Sequence, residues 1–265
     1  MLDESILTIP ITNKNNLTKI FIFKEFLSDD QIISFSNNIS LYSGLIEGFR
    51  SIEEQSRIID EILGYRILEI ESNLATKAKI LGTNENNRSI GELIHGKETW
   101  VGLDPQVLQT PYLFFFDVLQ RLNLPKNSKI VDIGSGYGRF GFVLRAVRPD
   151  IIFKGFELVK ERAEEGRRVL SKLKCQNSHI FQTDVTEDSF LFENADAFFC
   201  YDFSSAKNIE LVLNKLFITC KSKKIPIIAR GLQINHLIKN KHSWLVIKFK
   251  VSDNFIIYES NAESE

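Results

Sequence analysis

The chain has no apolar run approaching the roughly 20 residues that a membrane-spanning helix needs, so none of its 265 residues is predicted to cross a bilayer. It also lacks a basic N-terminal stretch followed by a continuous apolar segment, the pattern of an export signal. Cysteine is scarce: Cys175, Cys200 and Cys220 are odd in number, too far apart for common zinc-ligand spacings, and set in apolar or amphipathic segments. These absences point to a reducing, cytoplasmic setting. The four histidines, His95, His179, His236 and His242, show no paired spacing for a metal or a catalytic triad. There is no gross excess of charge either, with a net charge of −1, and 43% hydrophobic and 25% charged residues lie near the globular average. That composition argues against wholesale disorder and against a fibrous repeat.

What is present is unevenly spread. Residues 1–110 carry 16 Asp/Glu against 10 Lys/Arg, whereas residues 205–250 carry 10 Lys/Arg against Glu210 alone. A basic stretch attracts nucleic acid or an acidic protein, but lysines scattered over solvated helices and strand ends produce the same count and are the commoner case.

The first hundred residues read as mainly helical. A short extended segment is expected at Lys19 to Phe23. Two capping boxes follow, Ser28 with Gln31 and Ser51 with Glu54, each placing a side-chain oxygen at a helix start and a polar side chain three residues on. After the first, Ile32, Phe35, Ile39, Tyr42 and Ile46 recur at helical spacing; after the second, Ile58, Ile62, Ile70 and Leu74 do so around Gly64, a weak point. The polar stretch Gly82 to Asn87 is the expected linker. We therefore divide the chain into an N-terminal helical region (1–90), a lead-in (91–110), a catalytic-type domain (111–259) and a polar tail (260–265).

From Pro111 onward, helix-like and strand-like segments alternate, the pattern of helices packed on both faces of a mostly parallel sheet. Helices are expected at 111–122, 138–147, 158–173, 186–193, 206–220 and 232–239. Strands are expected at 129–133, 151–156, 178–182, 196–201 and 224–229. Two further strands, Trp244 to Lys250 and Phe255 to Glu259, are separated by only four residues, so they form a hairpin and the last runs antiparallel. The fold class is thus α/β: seven strands, the last antiparallel, with a mainly helical N-terminal region.

Three strand ends carry the chemistry. The first strand ends in Asp132-Ile133 and runs at once into Gly134, Ser135, Gly136, Tyr137 and Gly138, a turn whose backbone can approach a ligand closely. The amides opening the next helix suit a carboxylate, and Asp132 suits a positive amino group, so this pair fits an amino-acid moiety. The second strand ends in Glu157, a carboxylate able to accept both hydroxyls of a ribose. After the third strand stand Asp184 and Val185, an acceptor and an amide suited to an adenine edge. Gly136, Gly138 and Gly141 also satisfy the dinucleotide pattern, in a register beginning three residues beyond the strand. A nicotinamide dehydrogenase therefore stays open on the glycines alone; Asp132 and the terminal hairpin argue against it.

Taken in order, the glycine loop, the acidic series and the closing hairpin make Thr110 to Glu259 resemble a class I, seven-strand S-adenosylmethionine-dependent methyltransferase. The resemblance implies that Asp132, Gly134, Ser135, Gly136, Tyr137 and Gly138 line the methionine end, Glu157 holds the ribose, and Asp184 with Val185 holds adenine. It places Tyr201 and Asp202, at the end of the fourth strand, beside the transferred methyl and the acceptor. There the chain departs from the amine-methylating pattern, with Phe203-Ser204-Ser205 in place of Pro-Pro-Tyr. Asp202 is the candidate for moving a proton, and it reads equally as a cap for the helix beginning near Ala206. The lead-in Thr110-Pro111-Tyr112 is similar to that of bacterial relatives of the non-SET histone-lysine methyltransferases, which adds Thr110 and Tyr112 to the site candidates and makes a protein side chain the favoured acceptor. Small-molecule and nucleic-acid acceptors stay open, as does a regulatory module that binds the cofactor without transferring methyl. Trp100 reads as a substrate-stacking ring or as an anchor between the helical region and the sheet. Cys200 reads as core.

Overall fold

A computed structural model describes residues 12–22, 24–80, 100–221 and 223–261. The expected linker, residues 91–99 of the lead-in, His95 among them, and the last four residues lie outside this set.

The N-terminal region folds as helices α1 (Lys14–Ile22), α2 (Asp29–Ser36), α3 (Ile52–Leu63) and α4 (Ile67–Ile80). The extended segment expected at Lys19 to Phe23 is instead the end of α1, as far as it is described. Leu17 and Ile20 are three apart and both fully buried, so a helical stripe packed on its neighbours overrides the local strand propensity. At the start of α2, both bonds of the Ser28–Gln31 capping box form. The second box is half made: Ser51 accepts from the Glu54 amide, but the Glu54 carboxylate takes the Arg50 amide at 3.0 Å and the Lys14 amine at 2.6 Å. The long run expected after Ser28 stops at Ser36, because the Asn38 side chain accepts from Ser40 and starts a separate 3₁₀ turn at Ile39–Leu41. Gly64, at φ 84°, closes α3 in a left-handed turn and divides the second run in two.

The rest is the α/β domain: α5 (Pro105–Leu108), α6 (Tyr112–Arg121), β1 (Lys129–Ile133), α7 (Arg139–Val147), β2 (Ile152–Glu157), α8 (Lys160–Lys172), β3 (Ser178–Gln182), β4 (Ala197–Tyr201), α9 (Ala206–Cys220), β5 (Pro226–Arg230), α10 (Leu232–Lys241), β6 (Leu245–Ser252) and β7 (Phe255–Ser260). The seven strands form one sheet in the order β3-β2-β1-β4-β5-β7-β6. The first five are parallel, while β7 runs antiparallel to both β5 and β6. This is the seven-strand, Rossmann-like sheet that the resemblance implied. A dinucleotide-binding sheet ends in a parallel sixth strand, so the antiparallel hairpin separates the two.

Alternation along the strands supplies both faces. Ile130, Phe153, Ala197 and Phe199 enter one apolar core with α6, α7, α8 and the N-terminal helices, whereas Val131, Ile133, Phe198 and Cys200 enter a second with α9 and α10. The N-terminal helices thus share a core with one face of the sheet. The short helix expected at 186–193 does not form. Asp184 accepts from both the amide and the hydroxyl of Thr186, fixing a turn, and Phe190 and Phe192 pack edge-on against Phe156 and each other beneath the second face.

Part of the basic stretch is drawn into local contacts. Lys223 reaches Asp196, Lys241 reaches Glu210 at 2.8 Å, and Lys215 is spent on the Val185 and Glu187 carbonyls. No helix among the described residues is long and apolar enough to cross a membrane.

Candidate functional site

Strand order reverses between β1 and β4, since the chain builds outward through β2 and β3 and then returns to the other side of β1. Ligands of open α/β sheets bind at the carboxyl ends of strands flanking such a switch. A cavity of about 530 Å³ lies there, within the range of small-molecule sites.

Its first wall comes from β1, β2 and β3. Gly136 sits at φ 54°, and a Cβ added there would meet nothing within 4 Å, so the bare backbone faces open cavity. Glu157 bridges the walls: Oε2 accepts from the Gly136 amide and Oε1 from the Val159 amide, both at 2.8 Å. Burial raises its pKa, opposed by the charge of Arg162 and by those two amides. Tyr137, Asp184 and Val185 also line the cavity. The amides of Gly134 and Ser135 both bond to the Phe156 carbonyl, and that of Gly138 to Ser135, so the loop is braced internally; none of these amides is free for a ligand carboxylate.

Behind this wall Asp132 is buried, and among the described residues no hydrogen bond or ion pair reaches its carboxyl. Burial, with Glu157 adding repulsion, holds its pKa well above the usual carboxylate value. A cation brought to this spot would relieve that cost. Ser135 Oγ is likewise buried without a partner, tucked where Gly155 has no side chain.

The second wall joins the sheet to the helical region. Tyr137 donates to Glu71 at 2.7 Å, and Glu71 accepts a two-point contact from Arg162 at 2.8 and 3.0 Å. Arg162 also reaches the Trp100 carbonyl, and Trp100 lines the cavity. Arg139, which replaces the third glycine of a dinucleotide loop counted from Gly134, is buried and forms an ion pair with Asp60 of α3.

The third wall lies at β4 and β5. Tyr201 and Asp202 line it. The Asp202 oxygens accept from the Gln233 amide at 3.0 Å and the Ile234 amide at 2.8 Å, so this carboxylate caps α10, not the helix beginning at Ala206, whose cap is Ser205. Its pKa is raised by burial and opposed by these amides. Tyr201 donates to the Val107 carbonyl at 3.0 Å. Thr110 and Tyr112 stand outside the cavity lining. Tyr112 is buried and donates to Asp60 at 2.8 Å, while the Thr110 hydroxyl accepts from Arg230 at 3.0 Å. Thr110 thus touches a lining residue, Arg230, whereas Asp60, the partner of Tyr112, is not part of the lining.

Sequence reasoning missed Arg230 and Glu53, which line this third wall, and the Glu71–Arg162 pair. Arg230 had a usable signal, being a charged residue at a parallel strand end just as Asp202 is; Glu53 had none, since an acidic residue in a first helical turn is ordinary. His242 accepts from the Trp244 indole at 3.1 Å, and no metal-binding group of His, Cys, Asp and Glu occurs among the described residues.

No family model and no curated protein matches the chain. Solved structures do. The RNA methyltransferase of Salinibacter ruber, in complex with S-adenosyl-L-homocysteine, is 17% identical with a TM-score of 0.46, over 59% of this chain and 95% of that one. The precorrin-6y C5,15-methyltransferase of Geobacter metallireducens is 17% identical with a TM-score of 0.44, over 57% and 88%. The YcgJ protein of Bacillus subtilis is 12% identical with a TM-score of 0.38 over 47% of this chain, which spans about half (54%) of that protein's length. Strand order and the closing hairpin define the fold here: a seven-strand, Rossmann-like α/β sheet with an antiparallel β7.

Proposed function

We propose that the protein is an S-adenosylmethionine-dependent methyltransferase. The observation that carries this reading is the cavity at the β1–β4 switch, onto which Gly136, Glu157 and Asp184 open in series from three successive strands. In the proposal the loop Gly134 to Gly138 lies under the methionine end and Asp132 receives its ammonium group. Glu157 keeps lone pairs for the ribose hydroxyls, and Asp184 with Val185 meets adenine. When bound, the cofactor supplies a methyl group already activated on a sulfonium, so the protein's share is alignment and proton management.

Tyr201 and Asp202 stand at the transfer end. Asp202 anchors α10 through one lone pair of each oxygen and retains others towards the cavity, where it takes the acceptor's proton if the acceptor is protonated. The helical region contributes Glu53 to the same end, and so forms part of the acceptor site. The protein side chain favoured from the lead-in gains no support from Thr110 and Tyr112, which line no part of the cavity, so the acceptor class rests on other residues. The three cysteines, buried and unpaired, suit a reducing cytoplasm.

Titrating the full chain with S-adenosylhomocysteine and S-adenosylmethionine in a calorimeter tests the reading: micromolar or tighter binding of both is expected, and absence of heat from either sinks it. Incubating proteome, nucleic-acid and metabolite pools separately with methyl-labelled cofactor then reports which pool gains label. A non-catalytic regulatory module is the second reading, motivated by Phe203-Ser204-Ser205. Tight cofactor binding with no label in any pool would favour it.

A further inference from the structure

Arg139, Arg162 and Arg230 are all largely withdrawn from water at the junction of sheet and helical region, and two of them are neutralised. Arg139 is paired with Asp60 and Arg162 with Glu71. Arg230 is not: among the described residues no carboxylate lies within ion-pair distance of it, and its one hydrogen bond is from Nη1 to the Thr110 hydroxyl. A guanidinium carries five N–H donors and stays charged in a protein. Its central carbon lies over two rings, 4.4 Å from the centroid of Tyr201 and 5.2 Å from that of Phe114. Burial lowers its pKa, opposed by Tyr201, Glu53 and Asp202; Asp202 is bonded to α10 amides, and Glu53 makes no ion pair with it. An unneutralised cation in such a place is costly unless an anion completes it.

Arg230 pairs in register with Tyr201 of β4, and so stands two strands beyond β1. At about 4.8 Å per strand, that sets it about 10 Å along the sheet from the glycine loop, on the side away from Glu157. The lining at this end mixes apolar Val107, Phe114, Leu232 and Phe255 with polar Glu53, Asp202 and Asn254.

Building on the cofactor reading above, we propose that the methyl acceptor is a small molecule with an apolar body and a carboxylate or phosphate group that seats on Arg230, making Arg230 the determinant of acceptor specificity. The planar fork matches either anion in two-point fashion, and the flanking rings fix its orientation before the acceptor arrives.

The test uses the full chain saturated with S-adenosylhomocysteine, with benzoate, phenyl phosphate and the neutral isostere benzamide as probes in calorimetry and thermal-shift assays. Benzoate or phenyl phosphate is expected to bind and raise the melting temperature, the stronger of the two identifying the anion, while benzamide binds at least about tenfold more weakly, as loss of a charge-assisted contact implies. Arg230→Gln is expected to abolish the difference between benzoate and benzamide while leaving affinity for S-adenosylhomocysteine within about threefold; Arg230→Lys retains part of it. Equal binding of benzamide, no binding of either anion, or an unchanged benzoate affinity in Arg230→Gln overturns the proposal. So does a loss of S-adenosylhomocysteine affinity of tenfold or more in that variant, which would assign Arg230 to the cofactor's own carboxylate. If Arg230→Gln does not fold, the wild-type contrast of benzoate with benzamide and the Arg230→Lys variant still decide. No binding of S-adenosylhomocysteine to the wild type is a separate failure, of the cofactor reading, and this proposal falls with it.

Discussion

Gly231 follows Arg230 and lies against Asp202, at φ 121°, and a Cβ placed there would lie 2.2 Å from Cγ of Asp202. Gly231→Ala is therefore expected to strain the backbone and push Asp202 off the first amides of α10, a loss of about 1–3 kcal/mol readable as a lowered urea midpoint. Gly136 presents the opposite case, left-handed backbone with open space above it. Gly136→Arg is expected to keep the fold but fill the cavity, weakening S-adenosylhomocysteine by at least about a hundredfold, or about 2.7 kcal/mol, in calorimetry; wild-type affinity in that variant would remove the glycine loop from the site. The glycines and strand-end acids were legible because a short motif beside a strand constrains backbone and ligand at once. The partnerships were not: Arg139 and Asp60 are 79 positions apart, and Arg162 and Glu71 are 91 apart, a separation over which spacing carries no information.

At the level of elements, the helical region is held to the sheet by buried polar contacts as well as by apolar packing. Asp60 of α3 takes the Arg139 guanidinium from α7 and the Tyr112 hydroxyl from α6 together. Asp60→Ala leaves a buried arginine without its counter-charge, with an expected loss of about 3–5 kcal/mol by equilibrium unfolding. A loss under about 1 kcal/mol would mean that apolar packing alone holds the region. Apart from the helix expected at 186–193, the strands and helices from Pro111 onward were readable from periodicity because the sheet is covered on both faces and each segment carries its own signal. The N-terminal elements were less so. Lys19 to Ile22 reads as a strand when taken alone and is helical because Leu17 and Ile20 share a buried face, and the run beginning at Ile32 is cut short by side-chain bonds from Asn38.

For the whole molecule, the Glu165 cluster ties the two regions together and makes their union sensitive to acid. Burial alone would raise the Glu165 carboxyl, but hydrogen bonds from Arg168 and Arg66 outweigh it and hold the pKa at about 2. A folded-state value below the unfolded one means stability that is present above the ordinary carboxylate range and is lost as pH falls through it towards about 2. Urea midpoints measured from pH 6 down to pH 3 are thus expected to decline, and Glu165→Gln to flatten that decline while lowering stability at neutral pH. A variant with the wild-type slope would move the acid sensitivity elsewhere.

The sequence by itself determined the α/β class, the antiparallel closing hairpin and the acidic residues that follow one another along the strand ends, because each of these is written in local period, turn chemistry or adjacency. Tertiary structure alone decided that the helical region shares a core with the sheet, that Asp202 caps α10, and that Arg230 faces the cavity beside two rings with no ion pair among the described residues. Those outcomes depend on which distant side chains burial brings together, and burial belongs to the packed chain as a whole.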